Sequence, residues 1–229
     1  VDCGLSPSDR FPMRQLVIDT ETTGLDPRQG HRIIEFAALE LVDRRASGRS
    51  LHLKFDPERE IDPAASEVHG MTWDDLRGQP TFRDKAAEIV EFASGAEWVI
   101  HNAPFDVGFL DAEFGRLADG PRGKLAERCS VVDTLQLARK LHPGQKNNLD
   151  ALCKRYSVDN SGRDLHGALL DARLLADVYL AMTGGQDTLA LEHSPLPADG
   201  RGSAIADELA ETRLELLVQA ATDEERAAH

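Results

Sequence analysis

The chain has 229 residues, 41% hydrophobic and 5% aromatic, which suffices for one largely aliphatic core and an appendage. Its formal net charge of −14 excludes nucleic-acid binding through bulk electrostatics, so any such contact must be local. No apolar stretch approaches the ~20 residues of a membrane span, and the N-terminus lacks the apolar region of a secretion signal. Three cysteines without metal-ligand or redox-motif spacing favour a cytoplasmic protein.

The first predicted elements in chain order are strands. After a loose polar tail at residues 1–12, the apolar run at 16–20 predicts a buried strand, and residues 33–42 predict a second. Residues 44–48 have the composition of a turn, and residues 50–55 alternate as a third strand. Because the connections between these strands are short, we expect an antiparallel meander.

Helices and strands alternate in the next part of the chain. Thr81 is a candidate N-cap for a helix that stops at Gly95. Further strands are predicted at 97–101 and 129–132, and further helices at 105–117, 134–141, 148–156 and 168–182. Three antiparallel strands followed by alternating helix and strand describe an α/β protein with a mixed sheet flanked by helices.

The composition changes after Met182, which divides the chain into a main domain and an extension. We predict a domain over residues 13–185, followed by a linker over 186–203 that is rich in Pro, Gly and Ser. Residues 204–229 contain a helix-compatible stretch that has no core of its own to join. This segment is therefore expected to bind a partner surface or to stay partly disordered.

Two carboxylates stand at the end of the first predicted strand. Asp19 and Glu21 are spaced i, i+2 and therefore share one face of that strand. Like charges this close repel each other unless a cation lies between them. A ligand set made only of oxygen atoms favours Mg²⁺ or Mn²⁺ over zinc. The alternative is a solvated strand end that carries two acidic residues.

Two further acidic residues lie near the starts of predicted helices. Asp106 follows a buried strand and lies in the first turn of a helix, where it could instead complement the helix dipole. Asp171 lies in an apolar helical run, where a carboxylate needs a counter-charge unless it faces solvent. His166 precedes Gly167 at the entry to the same helix.

Three motifs resemble, in order and in spacing, those of the DEDDh 3′→5′ exonucleases: Asp19-x-Glu21, Asn102-x-x-x-Asp106 and His166-x-x-x-x-Asp171. The resemblance covers about residues 14–185 and is similar in detail to the proofreading subunits of bacterial replicative DNA polymerases. The RNase H-like fold that this family implies agrees with the mixed sheet predicted above.

The resemblance also implies a site and a reaction. Two divalent cations, Mg²⁺ or Mn²⁺, are expected on Asp19, Glu21, Asp106 and Asp171. The general base is expected to be His166, because histidine titrates near neutrality. The implied function is a DNA exonuclease that removes mispaired 3′ nucleotides as 5′-mononucleotides and associates with a polymerase catalytic subunit.

The implied substrate contacts are Thr20, Thr22, Thr23, Leu25, His69, Asn102 and Phe105. Leu25 is expected to wedge near the last base, whereas His69 could instead be a turn residue and Phe105 a core residue. Ala64 departs from the family, which often has an acidic residue there, so a 3′-hydroxyl contact from this segment is in doubt. The histidines outside this site are expected in loop or surface contexts: His31, His52 and His142.

The extension contains two short resemblances to docking motifs. In the linker, Gln186, Leu189 and Leu191 are similar to the motif by which replication proteins bind the sliding clamp, although such hexapeptides are common by chance. The tail that ends at residues 222–225 resembles the segment by which proofreading members of the family bind their polymerase.

Two other functions compete with DNA proofreading. A DEDDh exoribonuclease that trims RNA 3′ ends would share the motifs, but such enzymes usually lack a linker and a detached terminal helix. A non-catalytic scaffold of the same fold would not need intact carboxylates and a histidine. The choice between DNA and RNA depends on how the pocket reads the 2′-hydroxyl, which is a matter of geometry.

Overall fold

The computed structural model describes residues 13–118, 129–162 and 165–184, which form one sheet with helices on its faces. The strands are β1 Arg14–Thr22, β2 Ile33–Val42, β3 Arg45–Lys54, β4 Glu97–Ile100 and β5 Val131–Asp133. The helices are α1 Pro63–His69, α2 Trp73–Leu76, α3 Phe82–Ala93, α4 Ala103–Gly115, α5 Thr134–Leu141, α6 Leu149–Tyr156 and α7 Ala168–Gly184. The predictions for residues 1–12 and 186–229 lie outside the described residues. No helix within those three ranges is long and apolar enough to cross a bilayer.

The sheet is mixed, as predicted. Its strand order is β3-β2-β1-β4-β5, with β2 antiparallel to both β1 and β3. Strands β4 and β5 run parallel to β1. The carboxyl ends of β1, β4 and β5 therefore meet at one edge of the sheet, and this edge is where the predicted site residues lie.

The connection between β2 and β3 differs from the prediction. Asp43 and Arg44 form a two-residue hairpin turn with φ of +48° and +64°, and Val42 pairs directly with Arg45. Left-handed turn residues match the twist of the flanking strands, so the chain reverses at once. The predicted turn at residues 44–48 is therefore wrong, and β3 begins at Arg45. Helices α1 and α2 were not predicted.

Side-chain alternation along β1 divides the core between the two faces of the sheet. Leu16 and Ile18 are fully buried on one face, in a cluster that includes residues of α3 and α4. Val17 is buried on the opposite face, in a cluster with residues of α6 and α7. The helices that carry Asp106 and Asp171 thus pack on opposite faces and converge on the sheet edge between them.

Two of the predicted helix starts are confirmed by their caps. Thr81 forms a capping box with Asp84 at the start of α3, since each side chain bonds the backbone of the other residue. Asp133 accepts hydrogen bonds from the amides of Leu135 and Gln136 at the start of α5. The chain therefore enters both helices at fixed residues, and α5 follows β5 directly.

A buried ion pair ties α4 to the start of β2. Arg32 donates from Nε and Nη2 to the two carboxylate oxygens of Glu113, over 2.7 and 2.9 Å. The amide of Ile33 also donates to Glu113, over 3.2 Å. The Glu113 side chain is 1% exposed, so its charge depends on these partners.

Replacing Glu113 with alanine should lower the free energy of unfolding by about 2–4 kcal/mol, because it leaves the guanidinium of Arg32 and the amide of Ile33 without their acceptor. Urea unfolding measures the loss. The control is Glu88→Ala, which removes a more exposed pair with Lys85 and should cost less than about 1 kcal/mol. Equal losses in the two variants would contradict the role given to Glu113.

Candidate active site

The site begins where β1 and β4 end. Asp19 and Glu21 project from the same face of β1, two residues apart. Beside them, β4 ends at Ile100, and Asn102 is the N-cap of α4 with φ of 64° and ψ of 50°. Asparagine tolerates this left-handed conformation better than most residues. The sharp turn there starts α4 at once and places Asp106 in its first turn, next to β1.

Asp106 is a buried carboxylate whose hydrogen-bond partner is a hydroxyl group. It is 4% exposed, and Thr20 donates from Oγ1 to its Oδ1 over 2.7 Å. Burial raises the pKa of Asp106 to about 7, against the opposing effect of the Thr20 hydrogen bond, and the nearby charge of Asp133 raises it further. A buried carboxylate in this state gains from a cation, so Asp106 fits a metal ligand.

Three predicted site residues come together at the same edge. Single ligand atoms of Glu21, His166 and Asp171 all lie within 4.8 Å of one another. His166 Nδ1 is 3.3 Å from Asp171 Oδ2, and the Asp171 side chain is 4% exposed while that of His166 is 44% exposed. The carboxylate oxygens of this donor set suit a hard divalent cation. Asp19 and Asp106 are not members of this close group.

The segment that carries His166 is attached to the end of α1. The His166 amide donates to the carbonyl of Val68 over 3.0 Å. The Leu165 side chain packs against Gly70, at the place where a Cβ atom would lie. Between these contacts, His69 is 5% exposed, its Nδ1 accepts from the Met71 amide, and its Nε2 is buried. Burial lowers the pKa of His69.

Internal hydrogen bonds shape the loop after β1. Thr22 donates to the Gly24 carbonyl over 2.7 Å, and the Thr23 hydroxyl lies 3.1 Å from His31 Nδ1. His31 lies in a loop, as expected, but its ring fills the space beside Gly24 and is only 6% exposed. Leu25, in contrast, is 84% exposed. The loop thus turns its threonine hydroxyls inward and presents Leu25 to solvent.

The remaining predicted substrate contacts differ in exposure. Asn102 is exposed, and the ring of half-buried Phe105 lies 5.0 Å from that of Phe109, so Phe105 belongs partly to the core. The Thr20 hydroxyl donates a hydrogen bond to Asp106. The substrate roles of these residues stay predictions. The sequence analysis did not identify Glu35, a buried carboxylate next to the site. Its position as an acidic residue within the apolar run of β2 is the sequence feature that could have indicated it.

Comparisons with known proteins agree with this arrangement. Residues 16–179 match the family model described as Exonuclease. The chain is 48% identical to DNA polymerase III subunit epsilon of Escherichia coli (strain K12), over 94% of this chain and 90% of that protein. The subunit of the same name from Haemophilus influenzae is 52% identical, over 78% of this chain and 70% of that protein.

Solved structures of exonucleases share the fold. Exonuclease X, solved in complex with 5′ overhanging duplex DNA, is 27% identical with a TM-score of 0.55, over 75% of this chain and 91% of that one. Apo exonuclease I is 19% identical with a TM-score of 0.64, over 76% of this chain and 42% of that one. The second likeness concerns the fold alone.

Replacing Asp106 with asparagine should stabilise the metal-free protein at pH 8. The pKa of Asp106 is about 7 in the folded protein, above the ordinary value of 3.8. Protonated Asp106 therefore stabilises the native state below about pH 4, and this stabilisation is lost as the pH rises to 7. The variant should therefore gain on the order of a few kcal/mol at pH 8, and the gain should shrink towards pH 4. Urea unfolding in EDTA measures it.

The control for this prediction is Asp84→Asn at the start of α3. Hydrogen bonds from Thr81 lower the pKa of Asp84, so this substitution should not stabilise the protein at pH 8. A wild type that is more stable than Asp106→Asn at pH 8 in EDTA would contradict the raised pKa.

Proposed function

Because this chain belongs to the exonuclease family, in its DEDDh branch, we propose that it removes mispaired nucleotides from DNA 3′ ends as the proofreading subunit of a replicative polymerase. The observation that carries this proposal is the close group of Glu21, His166 and Asp171 beside the buried Asp106. The sequence identity of this chain to the epsilon subunits supports the proofreading role.

We propose that Asp19, Glu21, Asp106 and Asp171 hold two divalent cations, Mg²⁺ or Mn²⁺. Their oxygen atoms are the ligands that such ions prefer, and burial of Asp106 and Asp171 makes a cation favourable. When bound, two such ions lower the pKa of water and stabilise the charge that develops on the scissile phosphate. Thr20 would orient Asp106 through its hydrogen bond.

His166 would take the proton of the attacking water. Its Nδ1 lies against Asp171, so the carboxylate orients the ring, and Nε2 would accept the proton. The water oxygen would form a bond to phosphorus, the bond to the 3′ oxygen of the preceding nucleotide would break, and that oxygen would take up a proton from solvent. The products are a 5′-mononucleotide and a strand shortened by one residue. The half-exposed position of His166 allows the proton to pass to solvent.

Substrate contacts would come from the exposed residues around the group. Leu25, four residues after Glu21, is exposed to solvent and would separate the last base from its neighbour. Asn102 and Phe105 border the same edge from the start of α4, and Phe105 could stack on a base. His69 would meet the terminal phosphate after a local movement that exposes its Nε2, which is buried in this structure. Thr22 and Thr23 would contribute through the shape of their loop.

The extension after residue 185 would connect this domain to its partners. We propose that residues 204–229 bind the polymerase catalytic subunit and that Gln186, Leu189 and Leu191 bind the sliding clamp. The net charge of −14 disfavours binding to DNA on its own. Linked weak sites raise the effective concentration of the domain at the primer end. Binding to partners would therefore replace the attraction to DNA that the negative net charge prevents.

Replacing His166 with alanine should lower turnover by about 10²–10⁴-fold, because the proton acceptor is lost. Cation affinity, measured by Mn²⁺ titration, should fall far less than turnover. Removing any one of the four carboxylates should nearly abolish nucleotide release, in contrast to the partial loss in His166→Ala. The variants are Asp19→Ala, Glu21→Ala, Asp106→Ala and Asp171→Ala. Near-normal turnover in any of these variants would remove that residue from the site.

The function is tested on primer-templates with matched and mispaired 3′ ends. A mispaired nucleotide has less pairing and stacking energy to lose when it leaves its template, so it should be released faster. Release of 5′-mononucleotides with Mg²⁺ is measured on DNA and on RNA 3′ ends. Equal rates on matched and mispaired DNA would contradict proofreading, and faster release from RNA would favour an RNA-trimming enzyme.

Deleting residues 186–229 should leave nucleotide release from free single strands nearly unchanged. The same deletion should abolish co-purification with the polymerase subunit. Gln186→Ala combined with Leu189→Ala should weaken only clamp binding, measured by surface plasmon resonance. Loss of activity on single strands, or undiminished polymerase binding, would refute this division between domain and extension.

A further inference from the structure

Glu35 is a buried carboxylate immediately beside the site, and the reaction described above does not use it. It lies on β2 opposite Glu21 of β1, so the two side chains project from the same face of the sheet. Glu35 is only 4% exposed. A buried charge needs specific partners, and the partners that it has indicate its role.

The two carboxylate oxygens of Glu35 have different partners. Oε1 lies 2.6 Å from His52 Nε2 and 3.9 Å from Lys54 Nζ, both on the neighbouring strand β3. Oε2 accepts a hydrogen bond of 3.1 Å from the amide of Ala168, the first residue of α7. The side chains of His52 and Lys54 keep one oxygen in place, and the other oxygen holds the end of a helix whose dipole favours an anion there.

The helix end that Glu35 holds lies between two site residues. Ala168 is two residues after His166 and three before Asp171. Small side chains allow α7 to approach the sheet closely at this point, since Ala37, Ala168 and Ala172 form a buried cluster of their own. The Val68 carbonyl fixes the segment at His166, and Glu35 fixes it again at Ala168.

We propose that Glu35 is a positioning residue that sets where His166 and Asp171 stand relative to Glu21. The carboxylate spans from the strand that pairs with β1 to the start of α7, and it therefore fixes the separation between the two halves of the close group. The proposal rests on the proposed function, because its consequence is measured as nucleotide release. A displacement of about 1 Å in such a group can lower turnover on the order of 10²-fold.

The variants are Glu35→Ala, which removes the acceptor of the Ala168 amide, and Glu35→Gln, which keeps a side-chain oxygen there. Glu35→Ala should lower kcat by about 10–100-fold and leave KM for a single strand within about threefold. Glu35→Gln should recover most of kcat. Failure of the conservative variant to recover activity would overturn the proposal, because only the charge, and not the bond to Ala168, would then matter.

A double-mutant cycle distinguishes positioning from general support of the fold. Because Glu35 positions His166 as well as Asp171, Glu35→Ala should lower kcat by a smaller factor in the His166→Ala background than in the wild-type background. A purely structural role predicts the same fold-loss in both backgrounds, and that additive result would overturn the proposal.

The matched control is Glu40→Ala. Glu40 lies on the same strand, is equally buried and pairs with Arg14 and Arg49, but it stands opposite Leu16, five residues further along β2. Its loss should lower the unfolding temperature without a comparable fall in kcat at a temperature where both variants are folded. An equal fall in kcat would attribute the effect of Glu35→Ala to lost stability and would overturn the proposal.

A readout independent of activity is hydrogen exchange of the Ala168 amide, followed by NMR. Exchange should be faster in Glu35→Ala than in wild type and should stay slow in Glu35→Gln and Glu40→Ala. Unchanged exchange in Glu35→Ala would show that the bond does not hold the helix end. A wild-type protein that releases no mononucleotides would instead refute the proposed function, while this measurement still decides whether Glu35 anchors α7.

Discussion

The burial of carboxylates at one edge of the sheet is the constraint that governs how the surrounding elements are arranged. Asp19 and Glu21 lie on one strand, Asp106 is buried under Thr20, and Asp171 is buried against His166. Such an arrangement opposes folding unless a rigid scaffold and a cation offset it. The central position of β1, with β2 on one side and β4 on the other, supplies the rigidity.

The helices show how that scaffold brings distant residues to one place. Helix α4 packs on one face and α7 on the other, so Asp106 and Asp171 approach β1 from opposite sides. Each helix starts at the site, because Asn102 turns the chain directly into α4 and Glu35 bonds the first amide of α7. The helix starts, more than the helix bodies, therefore determine the geometry of the site.

How much could be predicted from the sequence depends on the range of the interaction involved. The bounds of β2 and α5 and the cap of α3 were predicted correctly, because they depend on apolar patterns and neighbouring residues. The hairpin at Asp43 was misplaced, because its two-residue turn lacks the usual glycine. The contact of Glu35 with Ala168 spans 133 residues, so no local pattern could indicate it.

The hairpin at Asp43 and Arg44 also has a consequence for how the molecule avoids self-association. It makes β3 ten residues long, and within the five-stranded sheet of the described residues its outer side faces no further strand. Such an edge is a template for aggregation unless it is blocked. Arg45, Arg49 and Lys54 place positive charges along it, and Gly48 interrupts it with a φ of +84°. The opposite edge, β5, is only three residues long, so one edge is protected by charge and the other by shortness.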